Sequence, residues 1–372
     1  MDFFTLVPTA GSSKCHQRFG CYIDIVRSLL FISLLLGAAS SAQTPLTPKW
    51  IDVPQADLMT RYRYIDNSAG AVTADDLQYR FTGRIKLGVP RWDTFVGARI
   101  ESGSLYSSSW SNTGIGRGDS EGTLNVKTFF IAQQLGKHAE LNVGAMDMDL
   151  GAGTEATYSD ADGYVEGYKV RLTSLKARYA PSRISATWGF VGDFNALNAF
   201  ARLHRLGDSN YFQLLAERRF NGATNTSLEF DRLAGINLIR AAVKTALPAS
   251  WLVNDFTVET TGRLNNGPTA GWAVHLVKTK NRLGKLNPGI FYSHLPLGVY
   301  RKGTTQALLN GDIYGTGKRA GFTTKYAVTK QFELSTFVAR RLDTDPGPRW
   351  RAQIVARYQL ASLIRPLLKR LP

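Results

Sequence analysis

The residues best able to do chemistry in this chain are its histidines, its paired acids and its many basic side chains. Spacing separates them. His138, His204, His275 and His294 all lie in the body of the chain, and none belongs to an H-E-x-x-H pattern that would set two imidazoles on one helical face for zinc. Ser293 precedes His294, but adjacency in sequence makes no catalytic pair, because a nucleophile and its base must meet in space. Gly114-Ile-Gly-Arg-Gly118 has no preceding strand-to-helix context and reads as hairpin flexibility, not as a phosphate cradle. Asp160-Ala-Asp162-Gly163 and Asp343-Thr-Asp345 offer carboxylates without the full calcium-ligand spacing and read as solvated turns. The two cysteines, Cys15 and Cys21, both precede the one long apolar run, which excludes a disulfide framework and a thiolate-held metal or cluster. These residues predict neither an enzyme nor a cofactor.

What remains is charge. Lys and Arg number 45 against 29 Asp and Glu, a formal surplus of 16 positive charges. The basic residues are spread over many segments and not gathered among exposed aromatics, which argues against nucleic acid as a partner. Arg61, Arg63, Arg80, Arg84, Lys86, Arg99, Lys127, Lys169, Arg171, Lys325, Arg351 and Arg357 share the polar side of an alternating pattern, joined by Arg240 and Lys244. The clearest acids on that side are fewer: Glu101, Glu140, Glu229, Glu259 and Glu333. A low-dielectric wall carrying one sign in excess concentrates counter-ions, so the first twelve residues are the candidate lining of an anion-favouring passage. Arg61 and Arg63 beside Arg80, Arg84 and Lys86 would form a basic ladder suited to carboxylates or phosphates. The competing reading is that these charges solvate an interior or pair with acids across strands.

The elements that must hold them are strands. From Leu77 to Leu87 the odd positions read Leu, Tyr, Phe, Gly, Ile, Leu and the even ones Gln, Arg, Thr, Arg, Lys. Successive strand side chains point to opposite faces, so one face is wholly non-polar and the other wholly polar. The period recurs at Ala320 to Val328, and at Trp350 to Gln359 with Val355 the one exception. Such runs give sixteen candidate strands, starting near residues 57, 77, 92, 123, 138, 168, 183, 211, 224, 236, 252, 271, 285, 318, 331 and 349. Tyr168 to Tyr179 changes parity part-way, implying a bulge or a shifted boundary, and Ala199 to Leu206 could add a strand, so fourteen or eighteen strands stay open.

Connections alternate between tight turns, such as Gly136-Lys137 and Asn221-Gly222-Ala223, and long loops rich in Gly, Ser, Asn and Asp: 103–122, 151–167, 193–210 and 296–317. Ala234-Gly235 and 265–269 are short where long ones are due. Short turns at one end and long loops at the other mark an up-and-down antiparallel barrel. Aromatics gather beside the tight turns, at Trp92, Tyr179, Trp251, Phe332 and Tyr358, as rings at a membrane interface would. Ser28 to Ala39 is apolar, follows Arg27 and precedes Ser40-Ser41-Ala42. That is a secretory signal with a small-residue cleavage site, too short to span a membrane. The predicted organisation is a signal peptide over 1–42, a short periplasmic segment over 43–56, an all-β transmembrane barrel over 57–360 and a tail over 361–372. In that tail Leu363, Ile364, Leu367, Leu368 and Leu371 fall at helical spacing, with Pro366 interrupting.

With its export signal, alternating strands such as Leu77 to Leu87, and closing amphipathic strand, the chain resembles Gram-negative outer-membrane porins over nearly its whole length. The stretches Arg61 to Asp66, Ala74 to Arg80 and Phe95 to Glu101 are loosely similar to the opening strands of alginate-export-type barrels. The first resemblance implies a water-filled outer-membrane channel for small anionic or polar solutes. Its partners would be outer-membrane lipid, lipopolysaccharide and the barrel-insertion machinery, with homotrimer or monomer left open. The second implies an anionic polysaccharide route. A barrel with a closed lumen and a structural or adhesion role is the reading from another class. One departure from porins is that they usually end on an aromatic residue, whereas here Tyr358 is followed by a further stretch to Pro372.

Overall fold

A computed structural model describes residues 50–368 except 67–70, 90–91, 104–109, 116–123, 158–163, 174–180, 194–195, 221, 249, 252, 266, 268, 279–284, 297–314 and 345–347. The expected signal segment, Tyr179, and the Asp160 and Asp345 turn residues lie outside that set. The strands are β1 (Ile51–Asp66), β2 (Val72–Val89), β3 (Thr94–Ser102), β4 (Ser111–Ile115), β5 (Leu124–Leu135), β6 (Ala139–Asp147), β7 (Tyr164–Thr173), β8 (Arg183–Phe190) and β9 (Tyr211–Phe220). They continue as β10 (Thr224–Leu233), β11 (Ile236–Ala246), β12 (Asp255–Arg263), β13 (Thr269–Val277), β14 (Leu286–Leu295), β15 (Gly317–Ala327), β16 (Phe332–Arg341) and β17 (Trp350–Gln359).

Every pairing is antiparallel between sequence neighbours, except that β3 and β4 follow one another along β2, so β5 pairs with β3. The sheet closes where β17 pairs with β1, from Asp57 opposite Gln359 to Ile65 opposite Arg351. The result is a closed sixteen-strand barrel. Closure joins the first and last strands, so the strands other than short β4, which pairs with β2 among the described residues, find ladder partners on both sides.

Parity sorts the two faces. On β1, Leu58 and Tyr62 are exposed while Asp57, Met59 and Arg61 are buried; on β17, Ile354 and Tyr358 are exposed beside inward Arg351, Gln353 and Arg357. Leu214, Leu228, Ile239, Val243, Trp272, Ile290 and Phe322 continue this apolar outer face around the barrel. Trp92 and Trp251 sit exposed at the tight-turn end.

Strand starts agree with the alternation to within a few residues, but β1 and β2 begin earlier than the pattern predicts, at Ile51 and Val72, and β4 (Ser111–Ile115) lies in the stretch 103–122 expected to be a loop. The described part of β7 runs to Thr173; Leu175 and Ala177, where the parity changes, lie outside the described residues. Ala199 to Leu206 is not a strand. It forms a short helix, α1 (Ala199–Arg202), followed by a 3-10 turn at Leu203–Arg205. After β17 the tail forms α2 (Ala361–Leu368), tied to β1 by Arg365 donating to the carbonyls of Val53 (2.9 Å) and Pro54 (2.8 Å).

Candidate functional site, the barrel interior

The loop after β6 decides the shape of the interior. Its described part, residues 148–157, runs across the inner faces of β8 to β12. Glu259 on β12 accepts the backbone N–H groups of Glu155 (2.9 Å), Ala156 (2.8 Å) and Thr157 (2.9 Å), and the Thr157 hydroxyl (2.7 Å). Glu217 accepts the N–H of Ala152 (2.7 Å), Ser227 donates to the carbonyl of Ala152 (3.0 Å), and Arg240 donates to the carbonyl of Thr157 (2.8 Å). Two glycines permit this approach. A Cβ on Gly151 would lie 2.8 Å from the Ser227 hydroxyl oxygen, and Gly153, at φ +87°, faces Lys244 and Thr257.

At the near end of the loop, Asp149 receives Lys169 (2.8 Å) and Arg171 (2.9 Å). Burial pushes the Asp149 carboxyl up, but these two cations outweigh it and hold the group well below the usual carboxylate range. Loop and wall also bury an apolar cluster that includes Met148, Ala156, Tyr211, Leu233, Leu238, Phe291 and Phe337. Phe291 stacks on Phe337, with ring centroids 5.3 Å apart, across the space left by Gly321.

The inner wall therefore has two unlike parts. Beneath the loop, across β9 to β14, the mid-height inward residues Gln213, Glu229, Arg240, Glu259, His275 and Ser293 are buried. Their charged groups are engaged locally: Arg240 meets Glu229 (2.7 Å) and Asp231, and His275 meets Glu259 (2.7 Å). Along β15 to β17, β1 and β2, Arg63, Arg80, Arg84, Lys86, Lys325, Gln353, Arg351 and Arg357 keep partial or full exposure.

The twelve candidate lining residues divide along the same line. Arg99 and Lys169 are buried on the inner face, Arg99 bound to Glu101 and to Asp147 (2.9 Å). Lys127 is fully buried at the β3–β5 register irregularity, and Arg171 bridges Asp149 and Glu140. Arg61 is buried against Gln78 (2.8 Å) with its guanidinium 4.1 Å from the Trp110 ring, and Arg80 approaches the same ring at 4.6 Å. Arg84 pairs with Asp147 (2.8 Å), Arg357 pairs with Asp57 (2.6 Å), and Lys86 lies over Phe95 at 4.8 Å. Arg63 and Arg351 border one open pocket with Ile65, Phe337 and Gln353. Lys325 is exposed on β15. On this strip Asp76 stands opposite Arg63 and Glu333 opposite Arg357, so carboxylates are present but outnumbered.

Of the other residues weighed from sequence, only some lie among the described residues. Ser293 faces inward and its neighbour His294 lies on the opposite face of β14. His138 contacts the carbonyl of Thr173 in a turn, and His204 that of Ala201. Sequence reasoning missed Asp147 and Asp149 as acceptors for inner-wall cations, Trp110 as a cover for Arg61, and Arg319 and Arg341 on the inner face. For the last two, strand parity on β15 and β16 carried the signal.

A closed wall of sixteen antiparallel strands has counterparts among solved structures. Salmonella typhi OmpF, solved in complex with daunomycin, superposes with a TM-score of 0.54 at 11% identity over 83% of this chain and 97% of its own. A mutant of the Rh. blastica porin gives 0.51 at 9% identity over 83% and 99%. This is the porin fold. No protein-family model and no curated protein matches the sequence. The porin-fold likeness is thus carried by the closed antiparallel barrel, with little identity in sequence.

Proposed function

We propose that the chain is an outer-membrane channel that passes small polar solutes and favours anions. The observation that carries this reading is the partly exposed inner strip of β15 to β17, β1 and β2, where Arg63, Arg80, Arg84, Lys86, Lys325, Arg351 and Arg357 outnumber Asp57, Asp76 and Glu333. Such a strip concentrates counter-ions along the part of the lumen left uncovered by the inserted loop. Membrane placement is supported by the apolar outer face, by exposed Trp92 and Trp251 at the tight-turn end, and by the closed ladder that hydrocarbon requires. Export through a signal peptide cleaved after Ala42, insertion by the barrel-assembly machinery, contact with lipopolysaccharide and a homotrimeric state belong to the same reading.

Planar-bilayer recording tests it. Stepwise conductance whose reversal potential under a potassium chloride gradient lies on the chloride side is expected, and Arg80→Glu with Lys86→Glu shifts it toward potassium. A cation-side potential in the wild type refutes the preference. The apolar cluster within the barrel favours a second reading, a closed lumen with a structural role, and the absence of any conductance would decide for it.

A further inference from the structure

We infer that the long-loop end of β15 to β17 holds a binding site for a phosphate-type oxyanion, built on Arg319. Arg319 and Arg341 occupy directly opposed positions of neighbouring strands on the inner face, and Arg351 stands one row along, opposite small Ala339. Like charges at opposed positions repel, and this pair is buried. Arg319 is fully buried, and its hydrogen bonds are to neutral carbonyls, Thr316 (2.9 Å) and Pro348 (2.7 Å). Its Nη1 is buried with no hydrogen-bond partner among the described residues. Gly315 sits where a Cβ would be 3.1 Å from both Arg319 Nε and Arg351 Nη1, so the two guanidiniums flank a side-chain-free position.

The carboxylates nearby are engaged elsewhere. Asp66 accepts the N–H of Trp350 (2.5 Å) and Arg349 (3.3 Å), while Asp343 accepts the N–H of Lys318 (2.6 Å) and lies 3.9 Å from Arg341. A buried cation without an anionic partner is costly, and a phosphate dianion satisfies several guanidinium donors in one geometry. The ligand class is therefore inorganic phosphate or a phosphate monoester, entering from the lumen side beside the pocket bordered by Arg63 and Arg351. The site is separate from the basic ladder of β1 and β2, and it rests on the channel reading only for how the ion arrives.

Equilibrium dialysis of radiolabelled inorganic phosphate against the folded full-length barrel in detergent, freed of lipopolysaccharide, tests this without needing conductance. Wild type is expected to bind saturably, with chloride a poor competitor and a phosphate monoester a good one. Arg319→Gln should weaken binding about tenfold or more, Arg319→Lys less, and Lys137→Gln, in an exposed tight turn at the other end of the barrel, not at all. Heat-modifiable gel migration identifies folded variants; should Arg319→Gln not fold, Arg351→Gln is read in its place with the same expected loss. Equal binding by wild type and the substituted barrel, or no saturable binding by wild type, overturns the inference. Displacement only by added lipopolysaccharide would reassign the site to a lipid phosphate and overturn the solute claim. Conductance with no phosphate binding leaves the channel reading intact and defeats this one.

Discussion

Glu259→Gln is the sharpest test of how the lumen is partitioned. The carboxylate accepts three loop N–H groups and the Thr157 hydroxyl through two oxygens, and it also meets His275 Nε2. An amide of the same shape keeps one acceptor oxygen. If that oxygen serves Glu155 and Thr157, the new NH2 faces the Ala156 N–H and the two donors oppose each other. Charge-assisted hydrogen bonds contribute about 1.5–3 kcal/mol each, and these share one carboxylate and are not additive, so about 2–4 kcal/mol of loop anchoring is at stake. At ~1.4 kcal/mol per factor of ten, the detached loop should become roughly 30- to 700-fold more populated. The wall ladder is untouched, so the barrel should still resist unfolding in detergent gels at moderate temperature. Hydrogen exchange at Glu155 to Thr157 reads the change directly, and single-channel conductance should rise and become noisier. Unchanged protection at those amides would refute the claim that Glu259 holds the loop.

Other perturbations follow from the same contacts. Asp149 has its carboxyl held well below its ordinary value, so its share of loop anchoring is complete above about pH 4 and is lost only as pH falls further toward the folded value. Conductance flat from pH 7 to 5, and altered only in stronger acid, is expected, with Asp149→Asn showing the acid behaviour at pH 7; a step near pH 6 would contradict the assignment. Gly321→Ala places a Cβ 2.2 Å from the Phe291 ring and 2.4 Å from the Val338 carbonyl oxygen. Phe291 is held against Phe337 and cannot retreat, so a loss of about 1–3 kcal/mol should lower the temperature at which the gel band shifts, while an unshifted transition would show that the stack is loose. In bilayers with bromine near the headgroups, Trp92 and Trp251 fluorescence should be quenched, and no quenching would argue against the tight-turn end lying at an interface.

How much of this was legible beforehand depends on the length scale of each signal. Strand parity is local, and it placed Leu77 to Leu87 and Trp350 to Gln359 on the correct faces because a one-residue slip would invert every side chain. Boundaries were weaker: Val53-Pro54 interrupts the alternation, so the beginning of β1 at Ile51 carries no periodic mark. The inner face of Arg99, Lys169 and Arg171 was readable, but their burial was not. Burial there comes from Asp147 and Asp149 at the strand-to-loop passage and from a loop whose own sequence, Gly151 to Thr157, looks like any solvated connection. A loop that folds inward does so through partners about a hundred residues away, as Glu155 and Glu259 show, and no local pattern records them.

The inserted loop also sorts charge. It brings backbone N–H groups onto Glu217 and Glu259, and Arg240 meets Glu229 and Asp231 beneath it, so the acids of β9 to β12 are hydrogen-bonded and screened where they stand. Among the described residues the 148–157 segment does not reach the cations of the opposite strip, of which Arg63, Arg80, Arg84 and Lys86 keep partial or full exposure. In the proposed channel, the field along the remaining passage is set by Arg63, Arg80, Arg84 and Lys86 in larger proportion than the total composition would suggest. This ties selectivity to anchoring: releasing the loop returns Glu217 and its neighbours to solvent and widens the passage at once. In the proposed channel, larger conductance and weaker anion preference should then appear together in the Glu259→Gln barrel, whereas a wider pore with undiminished preference would mean that the acids under the loop never counted.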